Sequence, residues 1–338
     1  MKAPGQMQPA PAGADPPRHL ELLSVVIPVY NEIEVLDELY RRLVSALGEL
    51  PFEIVFSDNA SEDGTAEALV ALADRDERVR VVLLSRNFGH QASLTAGLEH
   101  AQGNAIAMLD GDLQDPPELI PEMLAHWRAG VDVVYMVRAA RAGETRFKLV
   151  TARWFYRILA RLTELDVPQN AGDFRLLDRR ALDVLLAMPE RRRFIRGMSA
   201  WIGFEQRGLP YNRDARYAGQ TKYSLRNLMR FSLDAIASFS HVPLQLSMGL
   251  GFAVSALALF GLPLVIVARL AGAYVPGVST LLFVILFLGG VQLITVGIIG
   301  EYLGRIYDEV KQRPLYVVRK RINAERSAGL DPPGSERQ

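Results

Sequence analysis

The sequence predicts an α/β protein: a domain built on a mostly parallel sheet, with amphipathic interfacial helices and a C-terminal hairpin of two transmembrane helices. Three observations lead to this. Apolar β-branched runs alternate with helical segments over residues 20–140, polar side chains follow several of these runs, and two long C-terminal stretches lack charge. Continuous apolar strands separated by helices are typical of parallel sheets covered on both faces. The chain has 338 residues, enough for one such domain and an appendage.

The alternating elements follow from the residue patterns in order. Strands are predicted at 22–30, 52–58, 79–85, 105–110 and 131–137. Helices are predicted between them at 34–47, 61–73, 91–101 and 116–130. The first helix places apolar side chains four residues apart from Val35 to Leu47, and prolines begin the fourth, where proline is tolerated. Ligands of such sheets bind outside the carboxyl ends of the strands.

Composition excludes some kinds of chemistry. Basic and acidic residues both number 38, so net charge gives no sign of a nucleic-acid partner, and we expect none. The absence of cysteine excludes disulfides, thiolate metal sites and cysteine nucleophiles. Residues 1–20 begin with a Pro/Ala/Gly-rich stretch that has no apolar core, and they are predicted to form a disordered leader with no signal peptide.

Polar residues stand at the carboxyl ends of four predicted strands. They are Asn31 and Glu32 after the first strand, Asp58 at the end of the second, Asp110 and Asp112 at the fourth and Arg138 after the fifth. A single strand-end Asp is often a turn former or a helix cap, but this conjunction predicts a ligand site. Two carboxylates one residue apart can hold a divalent cation such as Mg²⁺ together with substrate phosphates. The sequence has neither G-x-G-x-x-G after the first strand nor G-x-x-x-x-G-K-[ST], so both common backbone cradles for phosphate are absent.

Two charge-free runs, 242–268 and 270–300, are each longer than the roughly 20 apolar residues that a helix needs to cross a membrane. A pair of buried helices in a soluble protein is the alternative. Basic residues flank the region on both outer sides, before residue 231 and after residue 304, whereas the predicted loop between the runs has only Arg269. Positive residues stay inside, so both ends are predicted to face the cytoplasm.

Residues 145–162 place Phe147, Trp154 and Leu162 on one side with a basic flank, and 224–240 show a similar pattern. Both are predicted to be interfacial helices on the cytoplasmic membrane face, with amphipathic helices packed on the sheet as the alternative. The predicted divisions are therefore a catalytic domain at 21–223, a juxtamembrane helix at 224–240, two transmembrane helices within 241–303 and a cytoplasmic tail at 304–338.

Four motifs occur in the order and spacing of a known family: VVIPVYNE (25–32), SDNASEDGT (57–65), SRNFGHQAS (85–93) and DGDLQDPPE (110–118). Together they resemble an inverting family 2 glycosyltransferase with the GT-A fold. GDFRLLDRR (172–180), RFIRGMSAWIGF (193–204) and YAGQTKYSLRNL (217–228) narrow the resemblance to the polyisoprenyl-phosphate glycosyltransferase branch. That branch includes dolichyl-phosphate mannose synthase, and the C-terminal region is similar to its bacterial bactoprenol glucosyltransferases.

The resemblance implies roles for individual residues. Those implied to hold the uridine of a nucleotide sugar are Pro28, Tyr30, Glu32 and Asp58. The implied Mg²⁺ or Mn²⁺ ligands are Asp110, Asp112 and Gln114, with Asp112 closest to the diphosphate. Arg138 is implied to meet the phosphate of the lipid acceptor, and the residues implied to line the reaction centre are Asp173, Arg175 and Arg196. Lys222 is implied to close on the donor diphosphate, and Arg141 and Tyr223 are further candidate substrate-binding residues. Asp173 either acts on the substrate or positions an arginine, and each arginine could instead be a solvated surface charge.

The implied reaction moves a sugar, with glucose the first candidate, from a UDP-sugar to undecaprenyl or another polyprenyl phosphate at the bacterial inner membrane. A phosphate monoester is already ionised near neutral pH, so the harder problem is the charge on the leaving nucleoside diphosphate, which a metal and a lysine can stabilise. The alternatives are a processive polysaccharide synthase, whose Gln-x-x-Arg-Trp motif is absent here, and a non-catalytic membrane scaffold. By analogy alone, a homo-oligomer, a tetramer, is expected.

Overall fold

A computed structural model describes residues 17–138, 171–212, 242–271 and 277–324. The chain divides into two compact units, one containing the sheet and one containing two long C-terminal helices. The predicted interfacial helices at 145–162 and 224–240 lie outside the described residues, as do the tail after residue 324 and most of the predicted leader.

The first unit is built on an eight-stranded sheet. Its strands are β1 Leu23–Val29, β2 Phe52–Asp58, β3 Val79–Leu84, β4 Ala105–Met108, β5 Val133–Arg138, β6 Ala171–Asp178, β7 Gln206–Tyr211 and β8 Val318–Ile322. Their order across the sheet is β7-β5-β6-β4-β1-β2-β3-β8. Strands β4, β1, β2 and β3 run parallel, and every residue of β1 and β2 is buried. The predicted α/β class with a mostly parallel sheet is confirmed.

Helices cover both faces of this sheet. They are α1 Ile33–Leu47, α2 Thr65–Arg75, α3 His90–Glu99, α4 Ile120–Arg128 with a 3-10 turn at Pro117–Leu119 before it, α5 Arg179–Ala187 and α6 Ile195–Trp201. Leu39 of α1 and Leu69 of α2 are fully buried with Ile54 in one core, and burying each such side chain contributes about 2 kcal/mol. On the other face α3 approaches β1 so closely that a Cβ at Gly97 would lie 2.5 Å from Val26 Cγ1. Glycine at this position therefore allows α3 to lie close to the sheet, with His90 at its first turn.

Strand β6 was not predicted, and it changes what the edge of the sheet presents. It lies between β4 and β5 and is antiparallel to both. An antiparallel strand begins where its parallel neighbours end, so the first residues of β6 lie at the carboxyl edge. Met108 pairs with Arg175, and this register brings Asp173, two residues earlier on β6, beside Asp110, two residues later in the chain than Met108.

The leader was predicted to extend through residue 20, but Arg18 and Leu20 are part of the sheet unit. Arg18 Nη2 contacts Asp132 Oδ1 at 2.6 Å, and the guanidinium lies 5.9 Å from the centre of the Trp127 ring. Leu20 is buried in the main core. These contacts with distant parts of the chain hold Arg18 and Leu20 on the sheet unit, although the composition of the leader predicts disorder.

The second unit contains α7 Val242–Leu270 and α8 Val278–Lys311. Among the described residues one stretch, Phe287–Lys311, is long and apolar enough to cross a membrane. The hairpin of two transmembrane helices therefore remains a prediction.

Candidate active site

Three loops at the carboxyl edge share an unusual backbone feature. Asn31 after β1, Ala60 after β2 and Leu113 after β4 have φ values of 56°, 61° and 57°. Residues with a Cβ rarely adopt this left-handed region, and such strain gathers at functional sites. The surrounding hydrogen bonds hold these turns: Asn31 N–H donates to Ser61 Oγ at 2.8 Å, and Asn31 Oδ1 accepts from Glu62 N–H at 2.8 Å.

The loops after β1 and β2 carry the four residues predicted to hold uridine. Asp58 is the buried last residue of β2, and its carboxylate oxygens accept from Ser61 N–H at 3.3 and 3.2 Å. Burial raises the pKa of Asp58 despite these bonds. Pro28 lies in β1 beyond the end of its pairing with β4, so its missing N–H removes no bond of that ladder. Tyr30 and Glu32 follow, half-buried, and Glu32 N–H donates to Thr65 Oγ1 at 3.0 Å.

The loop after β4 carries the three predicted metal ligands. Asp112 Oδ1 accepts from the backbone N–H of Gln114 at 3.2 Å, so a local turn orients that carboxylate. The buried, left-handed Leu113 lies between them. Asp110 begins this loop directly beside the start of β6.

The fold adds a histidine that the sequence reading did not assign. His90 Nε2 lies 3.5 Å from Asp110 Oδ1 and 3.4 Å from Asp173 Oδ2. Burial opposes the charged imidazole, but the hydrogen bond to Asp173 and the charge of Asp110 outweigh it, so the pKa of His90 is raised. The signal was present, since His90 lies in the quoted SRNFGHQAS motif, but the motif gave it no role.

Asp110 stands in a concentration of negative charge. Burial, reinforced by the charges of Asp173, Asp115 and Asp112, raises its pKa to about 6, although His90 acts in the opposite direction. Asp110 Oδ1 is buried and has no hydrogen-bond partner within the described part of the chain. A buried, unbonded carboxylate oxygen with further carboxylates beside it fits a divalent cation.

Two sets of residues could hold that cation. The atoms of His90, Asp110 and Asp173 lie within 4.8 Å of one another. Both oxygens of Asp173, however, already accept from Arg196, at 2.7 Å from Nε and 2.9 Å from Nη2. Mg²⁺ also favours oxygen over imidazole ligands. The chemistry of the donors therefore favours the predicted set, Asp110, Asp112 and Gln114.

Two predicted arginines surround Asp173. Arg196, on α6, forms the two parallel bonds just described, the strong geometry for an arginine–carboxylate pair. Burial would raise the pKa of Asp173, but Arg196 and then His90 lower it overall. Arg175, on β6, donates to Ser199 Oγ and to Gly172 O, and burial lowers its pKa to about 10. Arg175 is thus enclosed by protein groups on the sheet side of the site.

Arg138 ends β5 at the same edge. Its Nε donates to the hydroxyl of Tyr211 at 3.4 Å, and that hydroxyl donates to Asp115 Oδ1. A Cβ at Gly172 would lie 2.9 Å from Arg138 Nη2, so the guanidinium rests against bare backbone. The predicted site residues Arg141, Lys222 and Tyr223 lie outside the described residues.

Comparison with known proteins identifies the family. Residues 24–186 match the model described as Glycosyl transferase family 2. An uncharacterized glycosyltransferase of Synechocystis is 46% identical over 299 residues, covering 88% of this chain and 94% of that protein. The SfII prophage-derived bactoprenol glucosyl transferase of Shigella flexneri is 40% identical over 301 residues, covering 88% and 97%.

A solved structure of glucosyl-3-phosphoglycerate synthase from Mycobacterium tuberculosis, in complex with Mn²⁺, UDP and its product, is also similar. It is 20% identical with a TM-score of 0.43, over 64% of this chain and 77% of that one. The family match and the long relatives confirm the resemblance drawn from the motifs, and with it the α/β GT-A fold. The chain belongs to glycosyl transferase family 2 and is a glycosyltransferase.

Proposed function

We propose that this enzyme transfers a sugar, with glucose the first candidate, from a UDP-sugar to polyprenyl phosphate with inversion at the anomeric carbon. Undecaprenyl phosphate at the cytoplasmic face of the bacterial plasma membrane is the proposed acceptor. The observation that carries the proposal is the pairing of opposite charges at one edge. Asp110, whose buried Oδ1 has no hydrogen-bond partner among the described residues, lies there with Arg138 and Arg196 on neighbouring elements. Both substrates carry phosphate groups, so a pocket that holds them together needs arginines for one and carboxylates that bind a divalent cation for the other.

The relatives give the acceptor its support. Several similar proteins carry the name bactoprenol glucosyl transferase at 39–40% identity, and the apolar stretch at 287–311 fits an enzyme whose acceptor is a membrane lipid. A cation held by Asp110, Asp112 and Gln114 would offset the charge that develops on the leaving UDP.

The protein groups have distinct tasks in the proposed reaction. Asp58, with Pro28, Tyr30 and Glu32, would orient the uridine. Arg138 would bind the acceptor phosphate, one of whose oxygens attacks the anomeric carbon as the bond from that carbon to the UDP oxygen breaks. The phosphate arrives ionised, so no side chain has to remove a proton.

Sugar transfer by the purified chain in detergent tests the proposal. The assay would contain undecaprenyl phosphate, Mn²⁺ or Mg²⁺ and a panel of radiolabelled nucleotide sugars. We expect label to enter the lipid phase with one UDP-sugar and the transfer to stop when a chelator removes the metal. Absence of transfer from every donor by a folded chain that binds UDP would contradict the proposal.

A further inference from the structure

Tyr211 is a buried residue at the carboxyl edge of the sheet, and it has no task in the proposed reaction. It ends β7, and the parallel pairing of β5 with β7 places it directly opposite Arg138. Its hydroxyl accepts from Arg138 Nε and donates to Asp115 Oδ1. One hydroxyl thus links the loop after β4, which carries the predicted metal ligands, to the arginine on β5.

We propose that Tyr211 is a positioning residue that holds the guanidinium of Arg138 in the orientation needed to bind the acceptor phosphate. The inference rests on the proposed function, since it assigns Arg138 to that phosphate.

The geometry supports this task from the arginine side. A guanidinium binds an oxyanion best through two parallel N–H bonds, which requires its plane to be fixed. The bond through Nε and the close backbone of Gly172 hold Arg138 from two directions. Arginine has a long side chain with large rotamer entropy, so ordering it before the phosphate arrives lowers the cost of binding.

Tyr211 is itself held firmly. Its ring packs edge-to-face on Phe174, with centroids 6.1 Å apart and planes at 82°, and its partner Asp115 is fully buried. Burial and then the charge of Asp115 raise the pKa of Tyr211 to about 12. The hydroxyl is therefore protonated at neutral pH and donates its hydrogen to Asp115, while the Tyr211 oxygen accepts the hydrogen bond from Arg138.

Tyr211→Phe removes this hydroxyl and keeps the ring. We expect the KM for undecaprenyl phosphate to rise about tenfold, the scale of one lost positioning bond, with kcat and the KM for the sugar donor within twofold of wild type. The matched control is Tyr40→Phe on α1, which loses a similar bond, from the hydroxyl to Asp76 Oδ2 at 2.7 Å, away from the edge. The control should leave both KM values unchanged, and melting temperatures recorded for both variants report any loss of fold.

A double-mutant cycle separates positioning from general damage. Arg138→Ala should raise the acceptor KM at least as much, and Tyr211→Phe should add less than twofold in that background. Gly172→Ala, which displaces the guanidinium from its other side, should raise the same KM.

Three results would overturn the assignment of Tyr211 while leaving the proposed function intact. They are an acceptor KM that is unchanged in Tyr211→Phe, effects of Tyr211→Phe and Arg138→Ala on that KM that multiply independently, and a donor KM that rises as much as the acceptor KM. A wild-type chain that transfers no sugar to the lipid phosphate would overturn both.

Discussion

Asp173 forms both of its short bonds to a single arginine, and this bears on its part in the reaction. Arg196 occupies one oxygen at 2.7 Å and the other at 2.9 Å, and His90 is 3.4 Å from the second. A general base needs a carboxylate oxygen free to accept a proton, with a pKa near the working pH. Here the pKa of Asp173 is lowered. The geometry thus favours a carboxylate that positions Arg196 over one that removes a proton.

Asp173→Asn should accordingly reduce kcat about 10- to 100-fold, because Arg196 loses its charged partner, without changing the shape of the pH profile. The check is kcat for transfer measured from pH 6 to 9 in wild type and variant. If Asp173 were the base, the activity remaining in the variant would climb with hydroxide concentration, and that slope would contradict the positioning role.

The choice between the two cation sets gives a second prediction at this scale. Asp112→Asn should weaken Mn²⁺ binding by about 100-fold or more, because even outer-shell partners contribute 10- to 100-fold. His90→Gln should change it less than fivefold, since Asp173 remains bound to Arg196. Calorimetric titration of Mn²⁺ in the presence of UDP provides the measurement. The reverse ranking would place the cation among His90, Asp110 and Asp173.

At the scale of elements, β8 completes the sheet from the far end of the chain. It pairs antiparallel with β3, so β3 has no open edge to pair with another chain. Val82 and Leu84 form a small core with Ala324, against which Tyr316 and Val318 pack. Tyr316 also donates to Glu99 Oε2 at 2.5 Å.

Asn323 follows β8 directly and has a left-handed backbone conformation, which few residue types adopt easily. Its φ is 52°, and its side-chain amide donates to Ala73 O at 3.0 Å and to Val79 O at 3.2 Å. Asn323→Ala should destabilise the sheet unit by about 2 kcal/mol, since it loses these bonds and adopts a left-handed backbone with a Cβ. Asn323→Gly should cost about 1 kcal/mol, because glycine tolerates that φ. Thermal unfolding in detergent measures both, and equal losses would contradict the backbone contribution.

The sequence predicted those elements whose patterns are local. Strands β1 to β5 and helices α1 to α4 carry apolar periodicity over their own length, and all were found near their predicted bounds. Strand β6 was missed because AGDFRLLD carries charged side chains whose partners, Arg196 for Asp173 and Ser199 for Arg175, come from α6. Strand β8 was missed because VRKRI is basic and is a strand only through its pairing with β3.

The site divides in the same way. Asp58, Asp110 and Arg138 stand at the ends of predicted strands, and the parallel direction of those strands was enough to predict that they meet at one edge. The sequence did not assign His90 or Tyr211 to the site. His90 reaches the edge from the start of helix α3, and Tyr211 from strand β7, whose pairing with β5 depends on residues far apart in the chain. A pattern that repeats along the chain identifies an element, whereas a contact between distant elements requires the folded structure.

At the scale of the whole molecule, the order of the strands bears on membrane topology. Strand β3 precedes both long helices and β8 follows them, yet the two strands share hydrogen bonds in one sheet. A sheet lies on one side of a membrane, so the chain must cross an even number of times between Leu84 and Val318. A pair of spans meets this condition, and the hairpin of two transmembrane helices remains a prediction.

The absence of cysteine makes this topology directly testable, because each introduced thiol is the only one in the chain. Ala273→Cys, in the predicted loop between the spans, should react with a membrane-impermeant maleimide in intact cells. Glu49→Cys in the sheet unit and Arg313→Cys after α8, both at exposed positions, should react only after permeabilisation. Labelling of positions 49 and 313 from opposite sides would establish an odd number of crossings and contradict the shared sheet. Labelling of position 273 only after permeabilisation would mean that neither helix crosses the bilayer.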